Sequence, residues 1–109
     1  TLDQLVAPGS PVRLVKCDVE GHELAVFQGG QRVLSEARPV LLFECEARHH
    51  VGSRIEEVFA HLEGLGMRGW FILGEALRPL GELRPEHQDP AQVPYANNFV
   101  FAFPEVWTP

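Results

Sequence analysis

Short apolar runs, separated by polar and glycine-containing segments, predict strands that alternate with helices. The runs at 12–18 and 40–45 are strand-sized and rich in branched and apolar residues, as is typical of strands buried on both faces of a parallel sheet. Between them, one short helix is expected to begin near Glu23 and a second to cover 31–36. This order predicts a right-handed βαβ unit with two parallel strands.

The second half of the chain predicts a longer helix and two further strands. Apolar residues recur at helical spacing over 54–65, and Ser53 is the expected N-cap of a capping box. Strands are expected over 68–73 and 99–103. The segment 74–95 is rich in proline and glycine, so we interpret it as a long loop, a feature that is often functional in compact domains.

One glycine pattern invites a nucleotide-binding interpretation that its context contradicts. Gly64, Gly66 and Gly69 fit G-x-G-x-x-G. The phosphate-binding version needs a strand before the pattern and a helix after it. Here a helix precedes and a strand follows, so we expect a C-capping glycine and a tight helix-to-strand turn.

Composition narrows the class of protein. The 109 residues suit one small domain, and a net charge of -6 disfavours nucleic acid as a partner. No apolar run reaches membrane-spanning length and no signal peptide is evident, so we expect no membrane partner and a cytoplasmic location. Cys17 and Cys45 fit no metal spacing or disulfide framework, and we interpret them as buried thiols in a reduced compartment.

Acidic residues follow both predicted parallel strands. Asp18, Glu20 and Gly21 come directly after the first strand, and Glu44 ends the second. Ligands of open α/β sheets bind beyond the carboxyl ends of the strands, so this segment resembles half of an active site. A structural role stays open as well: Asp18 and Glu20 can accept amide hydrogen bonds at a helix start, and Glu44 can be a solvated strand end. Gly21 is expected to permit a positive φ or a close backbone approach.

The same strand-turn-helix segment resembles the signature of FkbM-type methyltransferases. Five positions within eight residues carry the resemblance, and they are Lys16, Asp18, Glu20, Gly21 and Glu23. The lead-in over 1–5, the strand ending in Glu44 and the segment 98–101 are also similar to that family. The resemblance therefore covers nearly the whole chain.

This resemblance implies a Rossmann-like α/β fold that uses S-adenosylmethionine (SAM) to methylate an oxygen of a small molecule or sugar. Such enzymes have seven strands, the last antiparallel, and this chain would supply the fourth to seventh as one partial domain over 1–109. The family's glycine-rich loop and ribose-binding acid have no counterpart here, so the isolated chain is expected to be inactive. Methyl transfer needs in-line placement of the acceptor and often a base for the hydroxyl proton, so at these strand ends we expect catalytic roles for Asp18, Glu20 and Glu44, and cofactor binding by Asp18 and Gly21.

Two other classes of function remain as alternatives. The chain can be a non-catalytic remnant that associates with another chain, including a second copy, through an exposed sheet edge. It can also be a metal-dependent hydrolase that uses a cluster of acidic residues and histidines, namely His22, Glu44, Glu46, His49 and His50. Because no ligand pair falls at a suitable spacing within one element, we predict no metal site.

Overall fold

The computed structural model describes residues 1–46 and 55–109, which form a mixed α/β structure around one sheet. Its strands are β1 (Leu14–Cys17), β2 (Val40–Glu44), β3 (Arg68–Leu73), β4 (Ala76–Pro79) and β5 (Asn98–Ala102). Its α-helices are α1 (Leu2–Leu5), α2 (Glu23–Gln28), α3 (Gln31–Ala37) and α4 (Ile55–Gly64), and short 3-10 helices cover Leu80–Glu82 and Pro85–Gln88. Across these two ranges, no helix has the length and apolarity needed to cross a bilayer.

The described strands are arranged in the order β1-β2-β5-β3-β4. β1 and β2 are parallel neighbours, which confirms the predicted pairing of the two strands. β5 runs antiparallel to both β2 and β3 and lies between them, so the expectation of an antiparallel last strand is also confirmed. The carboxyl end of the parallel pair is therefore a meeting point for β1, β2 and the beginning of β5.

The burial of β1 differs from the sequence-based expectation. Its apolar run predicted a strand buried on both faces, yet of its four residues only Cys17 is buried, and Leu14 is 58% exposed. β1 lies at the edge of the sheet, and no strand among the described residues pairs with its outer side. A strand is buried on both faces only where neighbouring layers cover it, and here that cover reaches only its carboxyl end.

Aromatic side chains from the helices and the sheet form the centre of the core. Phe27 of α2 meets Phe43 of β2 edge to face, with ring centroids 5.1 Å apart. Phe59 of α4 lies 4.8 Å from Phe99 and 5.8 Å from Phe101, both on β5. Such pairs add roughly 0.5–1.5 kcal/mol each beyond area burial. This packing fixes α2 and α4 against β2 and β5, and so supports the sheet end where the carboxylates lie.

The turn between α4 and β3 confirms the structural interpretation of the glycine pattern. Gly66 has φ +99°, and its N–H donates to the Glu63 carbonyl at 2.9 Å, while the Met67 N–H donates to Leu62 at 3.2 Å. These two bonds define a Schellman motif with glycine at its left-handed position. The predicted N-cap of α4, Ser53, lies outside the described residues.

The prediction of one long loop over 74–95 is wrong in part. β4 pairs antiparallel with β3, and the register of Leu73 with Ala76 leaves a two-residue connection at 74–75. Gly74 has φ +62° at the first position of that connection, where a type II′ hairpin requires glycine. The short strand escapes sequence analysis because its four residues show no alternation and end in Pro79, a residue confined to sheet edges.

Candidate functional site

A small acidic cleft lies at the carboxyl ends of the parallel strands. Because Cys17 is in register with Phe43, the chain leaves β1 beside the point where β2 ends. The cleft encloses only about 10 Å³, room for about one water molecule, and is lined by Asp18, Glu20, Glu23, Glu44, Cys45 and Glu46. The structure thus brings the three predicted carboxylates to one place, together with Glu23 and Glu46, to which sequence analysis had given no role in methyl transfer. The volume is far below the roughly 300 Å³ at which ligand pockets begin, so these residues can contact part of a ligand but do not enclose one.

The turn after β1 has an unusual backbone. Glu20 has φ +41° and Gly21 has φ +97°, and positive φ at two successive residues is characteristic of the central positions of a type I′ turn. The expectation of a positive φ at Gly21 is confirmed. A left-handed conformation costs a non-glycine residue about 1–2 kcal/mol, and such strain is concentrated at functional sites. Glu20 therefore carries a backbone cost that glycine at the same position would avoid.

Asp18 and Glu20 are exposed, and the hydrogen-bonding role considered for them is filled by another residue. The buried carboxylate of Glu23 accepts the Gly21 N–H at 3.1 Å, and Glu23 begins α2. Within the two described ranges, neither Asp18 nor Glu20 accepts a comparable bond. The local structural role thus belongs to Glu23, and the other two carboxylates face the cleft with their oxygens available.

A single amide connects the carboxylates that follow β2. Asn97 Nδ2 donates to Glu44 Oε1 at 2.8 Å and to Glu46 Oε1 at 3.1 Å. Glu46 is only 6% exposed and also accepts the Tyr95 hydroxyl at 3.3 Å. Glu44 is therefore a hydrogen-bonded member of the cleft and not a solvated strand end. Sequence analysis missed Asn97 and Tyr95, because the register that brings them to the end of β2 is visible only in the folded sheet.

Both cysteines near the cleft are held as neutral thiols. Burial raises the pKa of Cys17 to about 11, and the nearby Glu23 and Asp18 carboxylates add to this effect. Burial also raises the pKa of Cys45, again with Glu23 contributing. Thiolates are the nucleophilic and metal-binding form, so these residues are structural near neutral pH. This agrees with their interpretation as buried thiols.

The histidines do not complete a metal centre in the part of the chain that the structure describes. No group of three or more His, Cys, Asp or Glu side chains there is arranged to hold an ion. His22 is exposed at the N-cap of α2. His49 and His50, which the hydrolase hypothesis also uses, lie outside the described residues.

Comparison with known proteins places the chain in a protein family. The model of the methyltransferase FkbM domain matches residues 1–68. This range extends from α1 to the first residue of β3 and contains every residue that lines the acidic cleft. No curated protein and no solved structure matches the chain.

Proposed function

Because this chain belongs to the FkbM methyltransferase domain family, we propose that it forms the carboxyl-terminal part of a SAM-dependent methyltransferase. The acceptor in this proposal is a hydroxyl group of a small molecule or sugar. The observation that carries it is the convergence of Asp18, Glu20 and Glu44 on one cleft at the end of two parallel strands. Crevices at this end of an open α/β sheet are where ligands bind.

The charge of the cleft suits the groups of the proposed cofactor. SAM supplies a methyl group on a sulfonium and also carries an ammonium, and both are cations. Five of the six residues that line the cleft have carboxylate side chains. In this proposal Asp18 attracts the ammonium, and Gly21, which has φ +97° and no Cβ, allows the backbone to approach the cofactor closely. The limited volume of the cleft leaves the rest of the cofactor to residues outside this chain.

The remaining carboxylates are suited to handling the acceptor. Methyl transfer requires the acceptor oxygen to be in line with the methyl group, and the hydroxyl proton to be removed. Glu20 projects from a strained turn beside the cleft, where it can accept that proton. Glu44 is fixed at the end of β2 and can orient the hydroxyl by a hydrogen bond.

The sheet supports a partial Rossmann-like fold. A parallel pair, β1 and β2, is followed by an antiparallel last strand, β5, as the resemblance implies for the fourth, fifth and seventh strands. β1 lies at the sheet edge with Leu14 exposed. In the proposed intact domain, the remaining strands continue the sheet beyond β1.

The test uses the intact domain that contains this chain, including the residues upstream of Thr1. The domain is incubated with methyl-labelled SAM and a panel of sugars and small hydroxylated molecules. We expect label to be transferred to at least one hydroxyl compound, and less of it when Asp18→Asn and Glu20→Gln are combined. An intact, folded domain that neither binds SAM nor releases its demethylated product would contradict the proposal.

The second candidate is a non-catalytic module that associates through β1. The observation in its favour is the outer edge of β1, which pairs with no strand among residues 1–46 and 55–109 and leaves Leu14 58% exposed. Unpaired strand edges are templates for pairing with another chain. Sedimentation would separate the candidates: a dimer that Leu14→Arg converts to monomer, in a domain that transfers no methyl group, would favour association.

A further inference from the structure

We propose that Asn97 is a positioning residue that holds Glu44 and Glu46 as one unit at the cleft. This inference rests on the proposed function for its catalytic consequence, but the contact itself is independent of it. A side-chain amide carries two N–H groups and can serve two acceptors at once. Asn97 does so here, with 2.8 Å to Glu44 Oε1 and 3.1 Å to Glu46 Oε1.

Two contacts hold Asn97 itself in place. The backbone carbonyl of Asn97 accepts the N–H of Cys45 at 2.8 Å, and Cys45 lies between Glu44 and Glu46 in the chain. The side-chain carbonyl of Asn97 accepts a bond from Asn98 Nδ2 at 3.0 Å. Asn98 is in turn held opposite Glu44 in the β2–β5 ladder. With its oxygen engaged, the side chain of Asn97 presents its NH₂ group to the carboxylates.

Electrostatics explain why such a donor is needed. Two neighbouring carboxylates disfavour each other's ionised form, and a donor shared between them offsets this repulsion. Further carboxylates, Asp18, Glu20 and Glu23, line the same cleft from β1 and α2. Tyr95 reaches Glu46 at 3.3 Å and has no bond to Glu44 among the described contacts. Asn97 donates to both glutamates, at 2.8 and 3.1 Å.

The kinetic test replaces Asn97 in the intact domain. Asn97→Ala removes the donor, and Asn97→Asp keeps the shape but puts a further negative charge beside the pair. Loss of a hydrogen-bonding partner that orients a metal ligand typically costs about 10- to 100-fold in activity, and Asn97 orients Glu44 in a comparable way. We expect kcat to fall by this factor in Asn97→Ala and further in Asn97→Asp, with KM for SAM changed little. Gln92→Ala is the control, since Gln92 is exposed in the segment 89–97 that leads to β5, and it should leave both kcat and KM unchanged.

A double-mutant cycle distinguishes positioning from a merely structural role. Glu46→Leu removes one acceptor at similar volume. If Asn97 holds the two carboxylates as one unit, Asn97→Ala should cost less in the Glu46→Leu background than in the unmodified protein, because only its bond to Glu44 is then left to lose. Equal costs in both backgrounds, or full kcat in Asn97→Ala, would overturn the inference.

A measurement without turnover separates this inference from the proposed function. In the unmodified 109-residue chain, the side-chain amide signals of Asn97 should shift in NMR spectra as acid protonates the glutamates. The signals of exposed Gln28 should stay in place. If the Asn97 signals shift and the Gln28 signals do not, while the intact domain transfers no methyl group, then the proposed function is wrong but the contact of Asn97 with Glu44 and Glu46 is confirmed. Asn97 signals that do not respond to acid would overturn the inference that Asn97 holds these glutamates, even if the intact domain is an active methyltransferase.

Discussion

Individual carboxylates in the cleft differ in how they are held, and this difference separates their expected roles. Glu23 is buried and closes the turn through the Gly21 N–H. Glu44 and Glu46 are held by the amide of Asn97. Asp18 and Glu20 are exposed and accept no bond from the described residues. Their contribution to folding should therefore be small, and any selection for them should act on function.

Asp18→Asn and Glu20→Gln should reduce methyl transfer by the intact domain much more than they reduce its stability. Both changes keep the shape of the side chain but remove its negative charge and its capacity as a base. Removing a general base or an orienting carboxylate costs on the order of 100- to 10,000-fold in rate. Thermal melts and transfer rates are measured on the same preparations, with Glu63→Gln, an exposed position on α4, as a control that should change neither.

The opposite pattern would assign these carboxylates to the fold. If both variants melt several degrees lower but retain full specific activity per folded molecule, then Asp18 and Glu20 are structural. Glu20→Gly adds an independent check, because it removes the carboxylate and the left-handed strain together. We expect this variant to melt no lower than the unmodified protein and to lose activity.

The packing of β3 against β5 depends on a glycine. Gly69 is opposite Phe101, and a Cβ at position 69 would lie 2.4 Å from Phe101 Cζ. The Phe101 ring is fully buried and stacked against Phe59, so it has little room to move. Gly69→Ala should destabilise the protein by about 1–3 kcal/mol, the usual cost of overpacking. Urea denaturation measures it, and Gly64→Ala, at the helical end of α4 with open space around it, should be neutral or stabilising.

Helix α3 is capped by a residue from another element. Asp3 of α1 accepts the N–H of Arg32 at 3.0 Å and that of Val33 at 2.9 Å, whereas the residue before α3, Gly30, has no side chain to do so. The Val33 and Arg32 N–H groups hold the pKa of Asp3 below its ordinary value of 3.8. A carboxyl group whose pKa is lower in the folded than in the unfolded state contributes to the free energy of unfolding. This contribution is fully present above the unfolded pKa and is lost as the pH falls through the folded pKa.

Asp3→Asn should therefore lower Tm at pH 7 and have progressively less effect as the pH falls below about 4, where aspartate becomes protonated in the unfolded chain. Melts from pH 7 to pH 2 measure this convergence. Glu36→Gln, which removes a surface ion pair with Arg32, should have little effect at any of these pH values. Equal Tm values for the unmodified protein and Asp3→Asn at pH 7 would show that the cap contributes nothing.

Local patterns predict the elements of this fold better than they predict the contacts between them. The strand-length apolar runs, the glycine that ends α4 and the strand-end positions of Asp18 and Glu44 are all readable from the sequence because they depend on nearby residues. The partners of Glu44 and Glu46 are not, since Asn97 reaches them only through the β2–β5 register. Glu23 was assigned to the helix start, and its burial depends on tertiary packing.

Across the sheet as a whole, the apolar character of β1 and its position do not match. Leu14 and Val15 are suited to a covered strand, but β1 lies at an edge with Leu14 exposed. The opposite side of the sheet ends in a short strand, β4, which terminates at Pro79 and is poorly suited to further pairing. This asymmetry supports the proposal that the intact domain extends the sheet beyond β1 and not beyond β4.

The same asymmetry predicts that the 109-residue chain supplies only part of the SAM site and that the rest of the intact domain supplies the remainder. The acidic cleft carries charges that suit the cationic end of SAM but encloses only about 10 Å³, and in our proposal the family's glycine-rich loop and ribose-binding acid lie outside this chain. Because affinity requires most of a ligand's surface to be buried, we expect calorimetry to detect no appreciable SAM binding to the 109-residue chain. The intact domain, titrated under the same conditions, should bind. Tight binding to the 109-residue chain would show that the carboxylate cleft suffices, and would contradict its assignment as the incomplete half of the cofactor site.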